Sequence, residues 1–331
     1  MKFLIAGLGS IGRRHLRHLD ELGESDIILY RTNNSTLPDE ILEKYIVETD
    51  LEKALEHKPD AAIVSNPTAL HIETALPIIQ AGCHLLIEKP ISNDLSQIAE
   101  LEKTVSENQS KVLVGFQFRH HPALKKIAEL VKEEAVGRPI SFRVHWGEYL
   151  PDWHPWEDYR QGYAARKDLG GGVVLTLTHP MDYLRMVFGE VKKLSAFAGQ
   201  LSDLEIDVED TAEIILQFEN DVMGSLHLDF NQQPPKHQFE VICTDGTIVF
   251  DNDATAVQAY SAKDEKWIEF PFPKDFERDH LFRDQMKHFL DIVYQDVSPI
   301  CSLADGIQAQ KLAMAVLKAA EDNIVIKKED L

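Results

Sequence analysis

Short apolar runs punctuate the first third of the chain, and the stretches between them repeat apolar positions at helical spacing. Lys2–Ala6, Asp26–Tyr30, Ala61–Ser65, His84–Glu88 and Lys111–Phe116 read as buried strands. Ile11–Leu22, Leu51–His57, His71–Gln80 and Leu95–Asn108 read as helices, the first with Ile11, Leu16, Leu19 and Leu22 on its apolar side. Strands alternating with helices imply right-handed crossovers and a parallel sheet covered on both faces. No Gly/Ser linker interrupts this part, so one domain is expected over residues 1–120.

The pattern then changes. After a helix at Pro122–Glu134, polarity nearly alternates along Ile140–Trp146, Lys193–Ala198, Thr211–Phe218, Val222–Phe230, Gln238–Cys243 and Thr247–Phe250. Glu219-Asn220-Asp221 sits between two of these runs as a hairpin turn. Strands in succession, without helices between them, predict a mainly antiparallel sheet in a second α/β domain, residues 121–331. Helices are expected at Gly172–Phe188, His280–Gln295 and Leu303–Asn323. Alternation leaves one sheet face for helices and the other free for self-association.

Composition narrows the partners. Hydrophobic residues make up 44% and charged residues 27%, an ordinary globular balance. With 55 acidic against 34 basic residues and a net charge of −21, the surface repels phosphate backbones and anionic lipid, so neither nucleic acid nor membrane is an expected partner. The apolar opening is too short for a signal peptide, and no run approaches the ~18 apolar residues of a membrane span. Cys83, Cys243 and Cys301 form no CxxC and read as reduced, buried thiols, which points to the cytoplasm.

Gly7-Leu8-Gly9-Ser10-Ile11-Gly12 is GxGxxG between a strand and a helix. The glycines serve a tight turn, close approach of a pyrophosphate to the backbone, and close helix–sheet packing, so the motif predicts dinucleotide binding at the helix N-terminus. The second strand should end at the adenosine ribose. There the chain has Tyr30-Arg31-Thr32-Asn33-Asn34 and no carboxylate, which favours NADP(H), with NAD(H) as the alternative. Ser65-Asn66-Pro67 ends the third strand, with His71 in the helix that follows. These residues are expected to border the nicotinamide ribose, together with Gln117 after the last strand of the domain. Glu88-Lys89-Pro90 ends the fourth strand on the same crevice edge. A lysine there can hydrogen-bond a reacting oxygen and move its proton, provided its pKa falls from the free value of about 10.4.

GxGxxG, Asn66-Pro67 with His71, Glu88-Lys89-Pro90, Gly170-Gly171-Gly172 with His179-x-x-Asp182, and Leu303-Ala304-Asp305-Gly306 occur in that order. Together they resemble the Gfo/Idh/MocA oxidoreductases over nearly the whole chain. The resemblance implies a Rossmann domain joined to an α/β domain with an open, mainly antiparallel sheet, assembled as a homodimer or homotetramer through that sheet. It also implies hydride transfer between NAD(P) and a ring carbon of a sugar, cyclitol or sugar derivative, without a metal. Lys89 matches the family's proton-handling lysine, and His179 its proton-carrying or substrate-binding histidine. Many members carry an aspartate four residues before that histidine. Here the position is Leu175, followed by Thr176, so Thr176, Asp182 or a residue elsewhere has to take that role.

Trp153-His154-Pro155-Trp156-Glu157-Asp158-Tyr159-Arg160 offers aromatic faces and polar ligands to a sugar ring, and Arg119 can reach substrate from the domain entrance. This stretch looks like one found in family members of acidic amino-sugar pathways. His120 and His121 are adjacent and no HExxH is present, so no metal is expected. His15, His18 and His57 fall on helices and read as solvated. The competing function is a non-catalytic NAD(P)-binding sensor or scaffold.

Overall fold

The computed structural model describes residues 1–32 and 42–330. Two compact units make up the chain: residues 1–117 with 168–170 and 277–310, and residues 118–167 with 171–276 and 311–331. Each has its own apolar core.

In the first unit, β1 (Phe3–Ala6), α1 (Ser10–Glu21), β2 (Ile27–Tyr30), β3 (Ile46–Glu48), α2 (Leu51–Glu56), β4 (Ala61–Val64), α3 (His71–Gln80), β5 (His84–Ile87), α4 (Ile98–Asn108) and β6 (Val112–Val114) follow one another. The six strands form one sheet in the order β3-β2-β1-β4-β5-β6, and every pairing is parallel. The order reverses beside β1, between β2 and β4, and ligands of open parallel sheets bind at such a point, outside the strand C-termini. Burial of β1, β4 and β5 on both faces explains their unbroken apolar runs.

In the second unit, α5 (Pro122–Lys132), β7 (Pro139–Gly147), α6 (Val173–Thr176), α7 (His179–Phe188), β8 (Val191–Gly199), β9 (Thr211–Phe218), β10 (Met223–Asp229), β11 (Lys236–Cys243), β12 (Gly246–Asp251), β13 (Ala256–Ser261) and β14 (Lys266–Pro271) build a nine-stranded sheet with its helices. Its order is β14-β13-β12-β11-β7-β10-β9-β8-β15, the last strand being Ile326–Lys327. All pairings are antiparallel except β7 with β10. Strict alternation of buried and open positions along β9 and β11 gives the sheet one packed and one uncovered face.

Strands β3, β13, β14 and β15 were not expected from the sequence, and three helices depart from the expectation. The helix expected over Gly172–Phe188 is broken into α6 and α7: Leu177 leaves the helical region, and Pro180 sits in the first turn of the new helix. Helix α8 (Arg278–Gln295) packs in the first unit, where Met286, Phe289 and Ile292 enter the core; the expected boundary had grouped it with the second domain. The final helix α9 (Leu303–Asp322) is divided between the units after Gln310. No helix among the described residues is long and apolar enough to cross a membrane. All three cysteines are buried and none is in a disulfide.

Candidate active site

The glycine motif folds into a close-packed cradle. Gly7 has φ +99, and a Cβ there would lie 2.4 Å from the Asn66 nitrogen. A Cβ on Gly12 would lie 1.9 Å from the Gly7 carbonyl oxygen and 2.9 Å from Ser65 Oγ. Gly9, by contrast, has nothing within 4 Å of its Cβ position. It caps α1 without a side-chain hydrogen bond, and no acidic residue occupies the first turn. The first N–H groups of the helix, with Ser10 and Ile11 partly exposed beside them, therefore face an open space that suits a pyrophosphate. The residues present fit a dinucleotide.

Ser65 Oγ donates to the Gly7 carbonyl at 2.9 Å and so joins the third strand's end to the cradle. Asn66 Nδ2 donates to Thr74 Oγ1 at 2.7 Å. His71 is buried between Pro67 and the Glu88-Lys89-Pro90 turn, its Nδ1 2.8 Å from the Pro90 carbonyl and its Nε2 2.9 Å from that of Asn66. Burial lowers its pKa, and the two carbonyls only partly oppose this. His71 thus lies between two loops, and the one N–H of its neutral ring donates to one of the two carbonyls. Arg31 directly follows β2 at 7% exposure, with its backbone N–H on the Glu48 carbonyl. Thr32 beside it is exposed, while Asn33 and Asn34 lie outside the described residues.

Lys89 is half-buried at the end of β5, and the Lys89–Pro90 bond is cis. Beneath it the Glu88 carboxylate is buried, with Oε1 2.8 Å from His15 Nε2 and Oε2 accepting from the Lys89 backbone N–H at 3.2 Å. Burial alone would push the Glu88 carboxyl up. The His15 hydrogen bond and the positive charges of His15 and Lys89 outweigh it and hold the pKa below the ordinary value. His15 and His18 are therefore not solvated, as their helix suggested. Both are fully buried, His18 close to Glu21 and Asp279, because α1 packs against α8 as well as the sheet. Gln117 is also buried.

In the second unit His179 opens α7 and is 4% exposed. Its ring stacks on Trp146 at 5.6 Å and meets Phe118 at 4.7 Å. One turn on, Asp182 is paired with Arg119: Nε–Oδ2 is 2.9 Å and Nη2–Oδ1 2.6 Å, both side chains buried. Two residues expected to contact substrate separately thus form one bidentate ion pair. Thr176 ends α6, buried, and Leu175 belongs to the apolar core. His121 accepts from Ala123 N–H and caps α5, and its ring stacks on Phe118.

The aromatic loop splits in two. Trp153 packs edge-on against Phe230 and His154 lies beside Trp156, which is 67% exposed. Asp158 and Arg160 instead bind each other, Arg160 reaches Glu205 at 2.6 Å, and Tyr159 Oη accepts from the Glu205 N–H. The charge of Arg160 is already met by two carboxylates, which raise its pKa.

One titratable group had no place in the sequence reading. Glu209 accepts from the Val174 N–H at 3.1 Å, while its carbonyl accepts from Val173. It fills the space that a Cβ on Gly172, φ +104, would take at 2.4 Å from its carboxylate. Burial pushes its pKa up to about 7. In the sequence it sits in Asp207-Val208-Glu209-Asp210, among other acidic residues.

Residues 1–116 match the family described as "Oxidoreductase family, NAD-binding Rossmann fold", and residues 124–249 match "GFO/IDH/MocA C-terminal domain". The chain belongs to the Gfo/Idh/MocA oxidoreductases. It is thus an NAD(P)-dependent dehydrogenase or reductase. Among Gfo/Idh/MocA relatives, the 1,5-anhydro-D-fructose reductase of Ensifer adhaerens is 28% identical over 274 residues, 79% of this chain and 77% of that protein. The myo-inositol 2-dehydrogenase of Thermotoga maritima is 27% identical over 350 residues, 100% of this chain and 99% of its own. The crystal structure of the WlbA dehydrogenase from Bordetella pertussis, in complex with NADH and UDP-GlcNAcA, superposes with a TM-score of 0.82 at 20% identity, covering 99% of this chain and 98% of that one.

Proposed function

We propose that this oxidoreductase exchanges hydride between a nicotinamide and a ring carbon of a sugar, cyclitol or sugar derivative, with Lys89 and His179 handling the proton. The observation that carries this reading is the half-buried Lys89 at the C-terminal end of β5, its turn anchored by the buried Glu88–His15 pair. The cofactor, held over Gly9 and the N-terminus of α1, supplies the hydride acceptor or donor. Lys89 hydrogen-bonds the reacting oxygen, takes the hydroxyl proton on oxidation and returns it on reduction. The Lys89 backbone is fixed by its N–H, which donates to Glu88 Oε2, and the side chain accepts the proton as the neutral amine. His179, immobilised between Trp146 and Phe118, serves as second proton carrier or substrate ligand.

Substrate class rests on the cyclic polyols named in the relatives above and on the Trp153, His154 and Trp156 rings, which offer faces to a pyranose. NADP(H) is preferred over NAD(H), because Arg31 directly follows β2, where a carboxylate would select a free ribose hydroxyl. Phe197, Trp267, Ile215 and Met223, each half exposed or more, support a homodimer or homotetramer built on the uncovered sheet face. Three buried thiols suit the cytoplasm.

The test is turnover with NADPH and NADH over a panel of sugars, uronic acids and inositols. Lys89→Met is expected to keep cofactor binding and lower kcat by orders of magnitude. Near-normal turnover removes Lys89 from the mechanism, and cofactor binding without turnover of any ring substrate overturns the substrate reading. Arg31→Ala is expected to weaken NADPH about 10-fold or more while sparing NADH; equal loss for both refutes the preference.

A further inference from the structure

The uncovered face of the nine-stranded sheet carries a cluster that hydride transfer does not use. β7 and β10 run parallel, with His145 directly opposite His227. Their rings lie with centroids 4.5 Å apart. Asp229, two residues beyond His227, projects from the same face and is paired in register with Gly147. A Cβ on Gly147 would lie 2.2 Å from Asp229 Oδ2, so the glycine leaves room for that carboxylate. Asp229 Oδ2 is 2.9 Å from His227 Nε2 and 3.8 Å from His145 Nε2. The three donor atoms all fall within 4.8 Å of one another.

We propose that His145, His227 and Asp229 form a binding site for a divalent transition ion of the zinc type. Two imidazoles and a carboxylate are a nitrogen/oxygen donor set that suits such an ion and leaves a fourth position for water. Ligands at about 2.0–2.1 Å stand about 3.3–3.4 Å apart in a tetrahedron, so small side-chain rotations close the set. The surroundings are those of a ligand site. Glu213 on β9 holds His227 Nδ1 at 2.7 Å, which turns Nε2 toward Asp229. Gln232 interacts with the His145 side chain, whose Nε2 is buried and has no hydrogen-bond partner. A metal-bound histidine ordinarily has its other nitrogen fixed by a carboxylate or carbonyl oxygen in this way. In the ion-free chain, His227 sits between the carboxylates of Glu213 and Asp229.

The site is separate from the chemistry proposed above. Trp146, adjacent to His145, points to the opposite face, where it stacks on His179. The ion therefore staples β7 to β10 from the uncovered side.

The experiment titrates the full chain, stripped with a chelator, with zinc chloride by calorimetry, and records the visible spectrum with cobalt(II). A single ion per chain, bound at micromolar or tighter, with an intense tetrahedral cobalt band and a raised Tm, is the expected result. His145→Ala and Asp229→Asn are each expected to abolish the band and weaken zinc at least about 100-fold, and Glu213→Gln to weaken it about 10–100-fold. His145 and Glu213 are partly exposed, so those two variants test the site without disturbing the core. No saturable zinc binding, or binding that His145→Ala and Glu213→Gln leave unchanged, overturns the site.

Discussion

Glu209 links a buried acid to the loop before His179, and its energetics can be worked through. Its carboxyl titrates at about 7 instead of the ordinary 4.5, because burial disfavours its charge more than the Val174 N–H stabilises it. The unfolded chain ionises this group more readily than the folded one. Its contribution to stability is therefore fully present below pH 4.5 and is lost as pH rises through about 7. At about 1.36 kcal/mol per pH unit of separation, the loss is about 3 kcal/mol by pH 8 and under about 1 kcal/mol at pH 5. Glu209→Gln keeps the acceptor for Val174 but cannot ionise. Urea unfolding of both proteins at pH 5 and pH 8 isolates the effect, because other titrations cancel in the difference. The variant should gain about 2–3 kcal/mol relative to the parent between the two pH values. An equal offset at both, or a variant weaker at pH 8 than at pH 5 relative to the parent, would refute the reasoning.

Other consequences follow from packing. Gly9→Ala meets no atom and should leave Tm nearly unchanged, yet its methyl enters the pyrophosphate space, so calorimetry should show cofactor affinity down about 10-fold or more. Gly12→Ala drives a methyl into the Gly7 carbonyl and should cost about 1–3 kcal/mol of stability as well as cofactor binding; an unchanged urea midpoint would contradict the close packing. Asp182→Asn leaves the Arg119 guanidinium buried without its counter-charge and should cost about 3–5 kcal/mol, whereas Arg119→Met with Asp182→Leu should recover much of it. A single variant as stable as the parent would show that the pair is not sealed from water.

The nucleotide half of the site was legible because its signals are local. A strand, three glycines and a helix start lie within ten residues of one another, and Gly7 and Gly12 are packed too closely for a side chain, while Gly9 borders open space. What failed to show was tertiary. The apolar periodicity of Gly172–Phe188 runs straight through the break at Leu177; the available signal was Thr178 before Pro180, a helix-start pattern. His15 and His18 look like surface positions on an amphipathic helix, since nothing in α1 announces that α8, from the far end of the chain, covers that side. Asp158 and Arg160 were expected at the substrate, but they pair with each other and Arg160 also with Glu205, which lies in a separate loop. His145, His227 and Asp229 form no motif; only the parallel β7–β10 pairing, which crosses many intervening residues, brings them together.

The same reasoning bears on the position where many relatives carry an aspartate. α6 is one turn long and sends Val173, Val174 and Leu175 into the apolar core. A carboxylate at 175 would be buried among hydrocarbon and, without a partner, would titrate far above neutrality or destabilise the unit by several kcal/mol. Leucine at 175 therefore suits the geometry of α6 in this chain. Glu209, packed against the backbone at the start of the same turn, is an acid whose pKa burial pushes up to about 7. Because its Oε1 accepts from Val174 N–H and its own carbonyl from Val173, a change in its charge acts on the turn that leads to His179.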